Sequence, residues 1–152
     1  MKIYKILTYI MLLGLLMITT QAFAQESRTI ILGGHNSVPK VTTPATATIT
    51  VTLKKDSLMV EGSFSDLKNY YYGAAIFYGK KGERGNQMFR LDADVAENHV
   101  SGTFSPSKNT FKLTEGQLQE LANGHLYISI YSYDHKHGEI RAQIPPIKRP
   151  GD

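Results

Sequence analysis

Residues 114–144 read TEGQLQELANGHLYISIYSYDHKHGEIRAQI, and this stretch decides the fold. Thr114-Glu115-Gly116-Gln117 has the spacing of a capping box. The Thr hydroxyl can accept from the backbone N–H of Gln117 while the Gln side chain reaches back to the N–H of Thr114. Leu118, Leu121 and Ala122 then fall on one face of a short helix, and Gly124 supplies the left-handed residue that ends it. From Leu126 to Tyr133 two kinds of side chain alternate. Leu126, Ile128 and Ile130 point one way, and Tyr127, Ser129, Tyr131 and Tyr133 the other. Asp134 to Gly138 is a polar, glycine-closed turn, and Glu139 to Ile144 alternates again with Ile140, Ala142 and Ile144 on one face. Pro145-Pro146 cannot donate to a ladder and stops the strand. The pattern predicts a capped helix near residues 114–124 feeding a long antiparallel hairpin.

Outward from this hairpin the chain keeps the same character. Ala45 to Leu53 alternates Ala47, Ile49, Val51 and Leu53 against four threonines, Lys54 to Ser57 turns, and Leu58, Val60, Gly62 and Phe64 line the returning strand. Thr29 to Leu32, Tyr70 to Tyr78, Gln87 to Val95, His99 to Phe104 and Phe111 to Leu113 are further strands, with a charged, glycine-rich loop from Gly79 to Asn86. Short strands punctuated by turn residues, with no alternating helices, predict an all-β fold: one antiparallel β-sandwich with a single short helix. Its expected core is Ile49, Val51, Leu58, Val60, Phe64, Leu118, Leu121, Ile128, Ile130 and Ile140.

Residues 1–24 read as an export signal. Lys2 and Lys5 precede a mostly apolar run of 14 residues, Ile6 to Thr19, and Ala22-Phe23-Ala24 is a small-x-small cleavage pattern. The run is short of the ~20 residues that span a bilayer, so no membrane span is expected after cleavage between Ala24 and Gln25. The expected remainder, residues 25–152, is one domain ending in a short polar tail after Pro146. The signal takes Lys2 and Lys5 with it, which leaves 15 basic against 13 acidic residues. So slight an excess, without a Lys/Arg block, gives no reason to expect nucleic acid. The chain has no cysteine, so an exported domain must be held by its core and not by disulfides.

The strands carry a resemblance. Leu126-Tyr127-Ile128-Ser129-Ile130-Tyr131 and Gly138-Glu139-Ile140-Arg141-Ala142-Gln143 resemble the closing strands of the chordin-type (CHRD) domain, which typically read Leu-Tyr-Val-Asn-Val-His and Gly-Glu-Ile-Arg-Gly-Gln. The Val38-Pro39 loop, the Thr-rich strand and Gly62 to Ser65 resemble the family's opening, so the likeness spans about residues 28–144. It implies an immunoglobulin-like or superoxide-dismutase-like β-sandwich. Family members typically carry Ala-His-Ile-His-Gly on a central strand. Here Ala75 and Phe77 hold the two histidine positions, Tyr131 replaces the histidine closing the Leu-Tyr strand, and His135 is the one recurrent histidine with a counterpart in the resemblance. A metal or redox role for the family is therefore not carried onto this chain.

Little else in the sequence points to chemistry. His135 and His137 are two apart, so on a strand both rings would leave one face as metal-binding pairs do; in an exposed turn they would be merely solvated. His35, His99 and His125 stand in or beside loops. The serines, Ser63, Ser101, Ser129 and Ser132 among them, lack a nucleophile elbow and an oriented base. Asp92, Asp94 and Glu97 are too sparse for a calcium loop. What remains is a contact face: Tyr127, Tyr131 and Tyr133 on one strand with Glu139, Arg141 and Gln143 on its partner, aromatics interleaved with Arg and amides. The expected function is that of an exported, non-catalytic binding or structural module with no cofactor, contacting a protein or surface polymer of the periplasm or cell exterior. The alternative is a small metal-dependent enzyme using His135 and His137. If the export reading is right, protein recovered from outside the cytoplasm begins at Gln25 on N-terminal sequencing; intact Met1 held in a membrane would overturn it.

Overall fold

A computed structural model describes residues 25–149. The expected signal segment, Ala24 included, lies outside the described residues. The elements are β1 (Gln25–Gly33), β2 (Thr46–Lys54), β3 (Ser57–Ser65), β4 (Tyr71–Tyr78), β5 (Gln87–Leu91), β6 (Ala93–Val95), β7 (Gly102–Phe104), β8 (Thr110–Lys112), α1 (Glu115–Ala122), β9 (Leu126–Ser132) and β10 (Ile140–Gln143), with a 3-10 turn at Gly34–Asn36. All-β with one short helix is the observed class.

Alternation explains most of it. Ala47, Ile49, Val51 and Leu53 of β2 face Leu58, Val60 and Phe64 of β3 on the inner side of the sheet. They join Leu126, Ile128, Ile130, Ile140, Ala142 and Ile144 in a single apolar core that contains all ten expected core residues. The β2–β3 hairpin pairs Lys54 with Ser57 around Lys55 in the left-handed region, φ 57°. At α1 the capping box forms as the sequence predicts: Thr114 Oγ1 accepts from Gln117 N, and Gln117 Oε1 accepts from Thr114 N. Gly124, at φ 71°, closes a Schellman ending in which Gly124 N donates to Leu121 O and His125 N to Glu120 O.

The layering differs from the expectation of two packed sheets. All the strands belong to one antiparallel sheet, in the order β5-β4-β9-β10-β1-β2-β3-β7-β6 with β8 beside β3, nearly closed as a barrel. The alternation of apolar and polar residues is the same in both arrangements, so the pattern alone could not choose between them. The stretch Gln87 to Val95, expected as one strand, shows how the ring closes. Its first half, β5, pairs with β4 and its second half, β6, with β7, and only Asp92 stands between them. One length of chain thus supplies both ends of the sheet.

Asp92 at the break has no ladder partner of its own, and a buried side chain stands in for one. Asn109, fully buried, accepts from Asp92 N at 2.8 Å and donates to Asp92 O at 2.9 Å and Ser105 O at 3.1 Å. Its backbone carbonyl also accepts from Val60 N on β3. The weakest join in the ring is between β1 and β10, paired only at Gly33 with Arg141. The segment after Pro146 is not wholly polar in its packing: Ile147 is buried in the core and its N–H donates to Leu121 O.

Asn109→Ala would take the side-chain partner from both backbone groups of Asp92 and from Ser105 O, and would leave the space of a fully buried side chain unfilled. Because Asp92 is itself exposed, each lost hydrogen bond counts as an ordinary one, about 0.5–1.5 kcal/mol, and the variant should unfold at lower denaturant concentration. Unchanged stability would show that the hinge does not depend on this side chain.

Candidate functional site

The inner faces of β4, β9 and β10 are consumed by the core, so chemistry there falls to the outer face. Register sets its layout. Phe77 lies opposite Tyr127, Ala75 opposite Ser129 and Gly73 opposite Tyr131, while Arg141 lies opposite Ser129 and Gln143 opposite Tyr127. Tyr127 stacks on Phe77 with ring centroids 5.1 Å apart, and Tyr131 meets Phe77 edge-on at 6.0 Å. The Arg141 guanidinium lies over the Tyr127 ring, 3.4 Å from its centroid, a cation–π contact with most of its water removed.

Two loops turn this face into the floor of a cleft. Gly79 to Asn86 folds over one side: Gly85 N donates to Tyr127 Oη at 3.2 Å, Arg141 Nη2 to Lys80 O at 3.3 Å, and Gln143 Nε2 to Gly79 O at 2.7 Å. On another side the turn after β9 brings up Lys136 and His137, and Ser37 and Val38 close the rim. The cleft encloses about 320 Å³, at the small end of the range of pockets that hold organic ligands. Gly138 is needed where it stands. At φ 118° it is in a region side chains avoid, and a Cβ there would come within 2.6 Å of Ser129 Oγ.

The six residues expected on a contact face are divided by this arrangement. Tyr127, Tyr131 and Arg141 line the cleft, with Tyr127 and Arg141 buried rather than projecting. Tyr133 stays outside it, 53 % exposed, edge-on to Tyr72 with Lys136 over both rings. Gln143 ties Gly79 and Gly124 together from half-buried surroundings. Glu139 is fully buried, and its Oε1 accepts from Thr43 Oγ1 and from Lys68 N. It pins two loops instead of facing the cleft. His135 and His137 lie in a turn closed by Gly138 N donating to His135 O, not on a strand, and only His137 reaches the cleft. Among the described residues no three His, Asp or Glu side chains gather as a metal would require.

Sequence reasoning missed Tyr72, Phe77, Arg84 and Lys136 as parts of one site. Phe77 and Ala75 share a strand face by alternation, but only the β4–β9 register sets them against Tyr127. The loop cations carry no periodic signal at all.

Burial pushes the Tyr71 phenol from its ordinary 10.0 up to about 12, against the opposing pull of Arg90. Tyr131 is raised too, by burial first and then by neighbouring Tyr127 and Tyr71. Arg141 is shifted downward, mainly by burial; Tyr127 opposes the shift and the Arg84 cation adds to it.

These features define a class: an antiparallel all-β domain whose outer face carries a small cleft walled by aromatic rings and cations. The family is set by the sequence itself, which matches the CHRD domain profile over residues 28–144, so the chain belongs to the CHRD domain family. No curated protein and no solved structure matches it.

The tyrosines give a pH signature. A phenol whose pKa is raised in the fold stabilises it fully below the unfolded value and loses that contribution as pH climbs through the folded one. For Tyr71 the window runs from pH 10.0 to about 12, so denaturant resistance should fall across it, and Tyr71→Phe should flatten the fall. A flat wild-type profile over that range would contradict the burial described.

Proposed function

We propose that this chain is an exported, non-catalytic binding module that uses the outer face of β4, β9 and β10 to hold a surface polymer or protein of the cell envelope or exterior. The observation that carries this reading is the make-up of the cleft. Its walls are rings and cations, namely Tyr72, Phe77, Tyr127, Tyr131, Arg84 and Arg141, and its one histidine, His137, has no carboxylate beside it among the lining residues. Such walls give contact area and charge but no base held by an orienting partner, which nucleophilic chemistry needs. Two places where family members typically carry histidine, Phe77 and Tyr131, face this cleft, and neither side chain present can act as an imidazole does near neutral pH. Membership of the CHRD family supports a binding or structural role. Export rests on the basic, apolar and small-x-small pattern of residues 1–24.

The test uses Tyr72 and Tyr133, both exposed and so removable without opening the core. Retention of the purified protein on isolated envelope material should weaken roughly tenfold in the double alanine variant, the equivalent of ~1.4 kcal/mol. Equal retention of variant and wild type would remove this face from the function. Elemental analysis checks the other reading: about one zinc or copper per chain, lost on replacing His135 and His137 by alanine, would favour a metal-dependent enzyme.

A further inference from the structure

The cleft contains a cation without a counter-charge. Arg141 is only 4 % exposed. Its guanidinium offers five N–H donors, of which one contact, to Lys80 O at 3.3 Å, is made to protein. Among the described residues the ion pairs belong to Arg28, Lys108, Lys112, His125 and Arg149, and none reaches Arg141. Glu139, two residues before Arg141, commits its Oε1 to Thr43 and Lys68, and its Oε2 is buried without a hydrogen-bond partner and forms no ion pair with Arg141. Buried charges in folded proteins are usually paired with an opposite charge; the Tyr127 ring under Arg141 offsets part of its lost hydration but leaves the N–H donors in the guanidinium plane without an anion.

Three further features of the same cleft agree in sign. Arg84, Lys136 and His137 stand around it, and no Asp or Glu lines it. The Tyr131 hydroxyl, which also lines it, is buried without a hydrogen-bond partner. Gly138, which cannot carry a side chain, keeps the space in front of Ser129 open. A guanidinium fork and an idle phenol O–H lining one cleft are a donor set for an oxyanion, which Arg engages through two parallel N–H bonds.

We infer that the cleft is an oxyanion seat that takes the carboxylate or sulfate group of an acidic sugar unit, held by Arg141 and Tyr131 with Arg84 and Lys136 at the mouth. This rests on the binding-module reading and gives its ligand a chemistry. A sugar is a better carrier than an acidic peptide for a topological reason. β9 lies between β4 and β10, and β4 between β5 and β9, so at the aromatic floor carried by β4 and β9 an extended peptide finds no free strand edge to add to. The exposed rings of Tyr72 and Tyr133, beside the mouth, offer instead flat amphipathic surfaces on which a pyranose can lie.

Titration of the purified protein followed by tyrosine fluorescence tests this, using an oligouronate, a sulfated oligosaccharide, a neutral oligosaccharide of the same length, and an oligoglutamate. At least one acidic sugar should bind about tenfold or more tightly than the neutral one, and the stronger of the two acidic probes identifies the anion. Arg84→Ala with Lys136→Ala alters only exposed side chains, so its affinity should fall with the melting temperature unchanged. Arg141→Gln should abolish binding. Because that position is buried, Arg141→Lys serves as the second variant, keeping the charge but losing the fork, and should bind more weakly than wild type while still folded. Equal binding of neutral and acidic sugars, or insensitivity of a folded Arg141 variant, would overturn the seat. Oligoglutamate binding as tightly as the sugars would overturn the choice of carrier. If no anion binds while envelope retention still depends on Tyr72 and Tyr133, this inference fails and the binding-module reading stands; loss of both results removes both.

Discussion

One continuous length of chain must serve both ends of the sheet, and the structure depends on how that is done. Between β5 and β6 the chain changes partners at Asp92, where neither ladder can satisfy the backbone. The buried amide of Asn109 takes both Asp92 groups and a third from Ser105, while its own carbonyl accepts from β3. The amide acts as a segment of artificial ladder. Because it is fully satisfied, it can sit in the interior, where a half-satisfied polar group would weaken the fold.

Closure of the sheet leaves the cleft on its outer side. The inner faces meet around a core of Leu, Ile, Val, Ala and Phe, and the cleft lies on the other side of the sheet. On the outer side the strand register stacks Arg141, Tyr127 and Phe77 into a column. The loop from Gly79 to Asn86 holds that column mainly through its backbone, at Gly79, Lys80 and Gly85. Contacts of this kind leave the loop side chains, Arg84 among them, available for other partners. Gly85 could bear nothing larger than hydrogen, since a Cβ there would fall 1.9 Å from Tyr78 O.

What the sequence made legible was local. The cap of α1, its glycine ending, the alternation of β2, β3, β9 and β10 and the core positions are each written within a few residues of one another, and all are found in the structure. The partition of Gln87 to Val95 was not legible, because alternation continues through Asp92 while the pairing partner changes. Asn109 was invisible as well: it lies in a loop, and its importance comes from residues 17 positions away. At the site, alternation correctly put Tyr127, Tyr131 and Arg141 on one face. It failed for Glu139, since Gly138 at φ 118° turns the chain just before it and sends the carboxylate to two distant loops. Arg84 and Lys136 reach the cleft from loops, where no periodicity exists to read.

The circular arrangement has a consequence for the order of assembly. Hairpins such as β2–β3, joined through Lys55 and Asp56, close short loops and form early. The remaining joins are remote: β4 must find β9, and Gly33 must find Arg141. Each requires a long loop to close before any contact rewards it, and topologies of this kind fold slowly. The ring is therefore the last thing to exist, completed only after nearly the whole domain has left the ribosome. Under the export proposed above, such delay would be useful in itself, because it would keep the polypeptide linear for as long as transport takes.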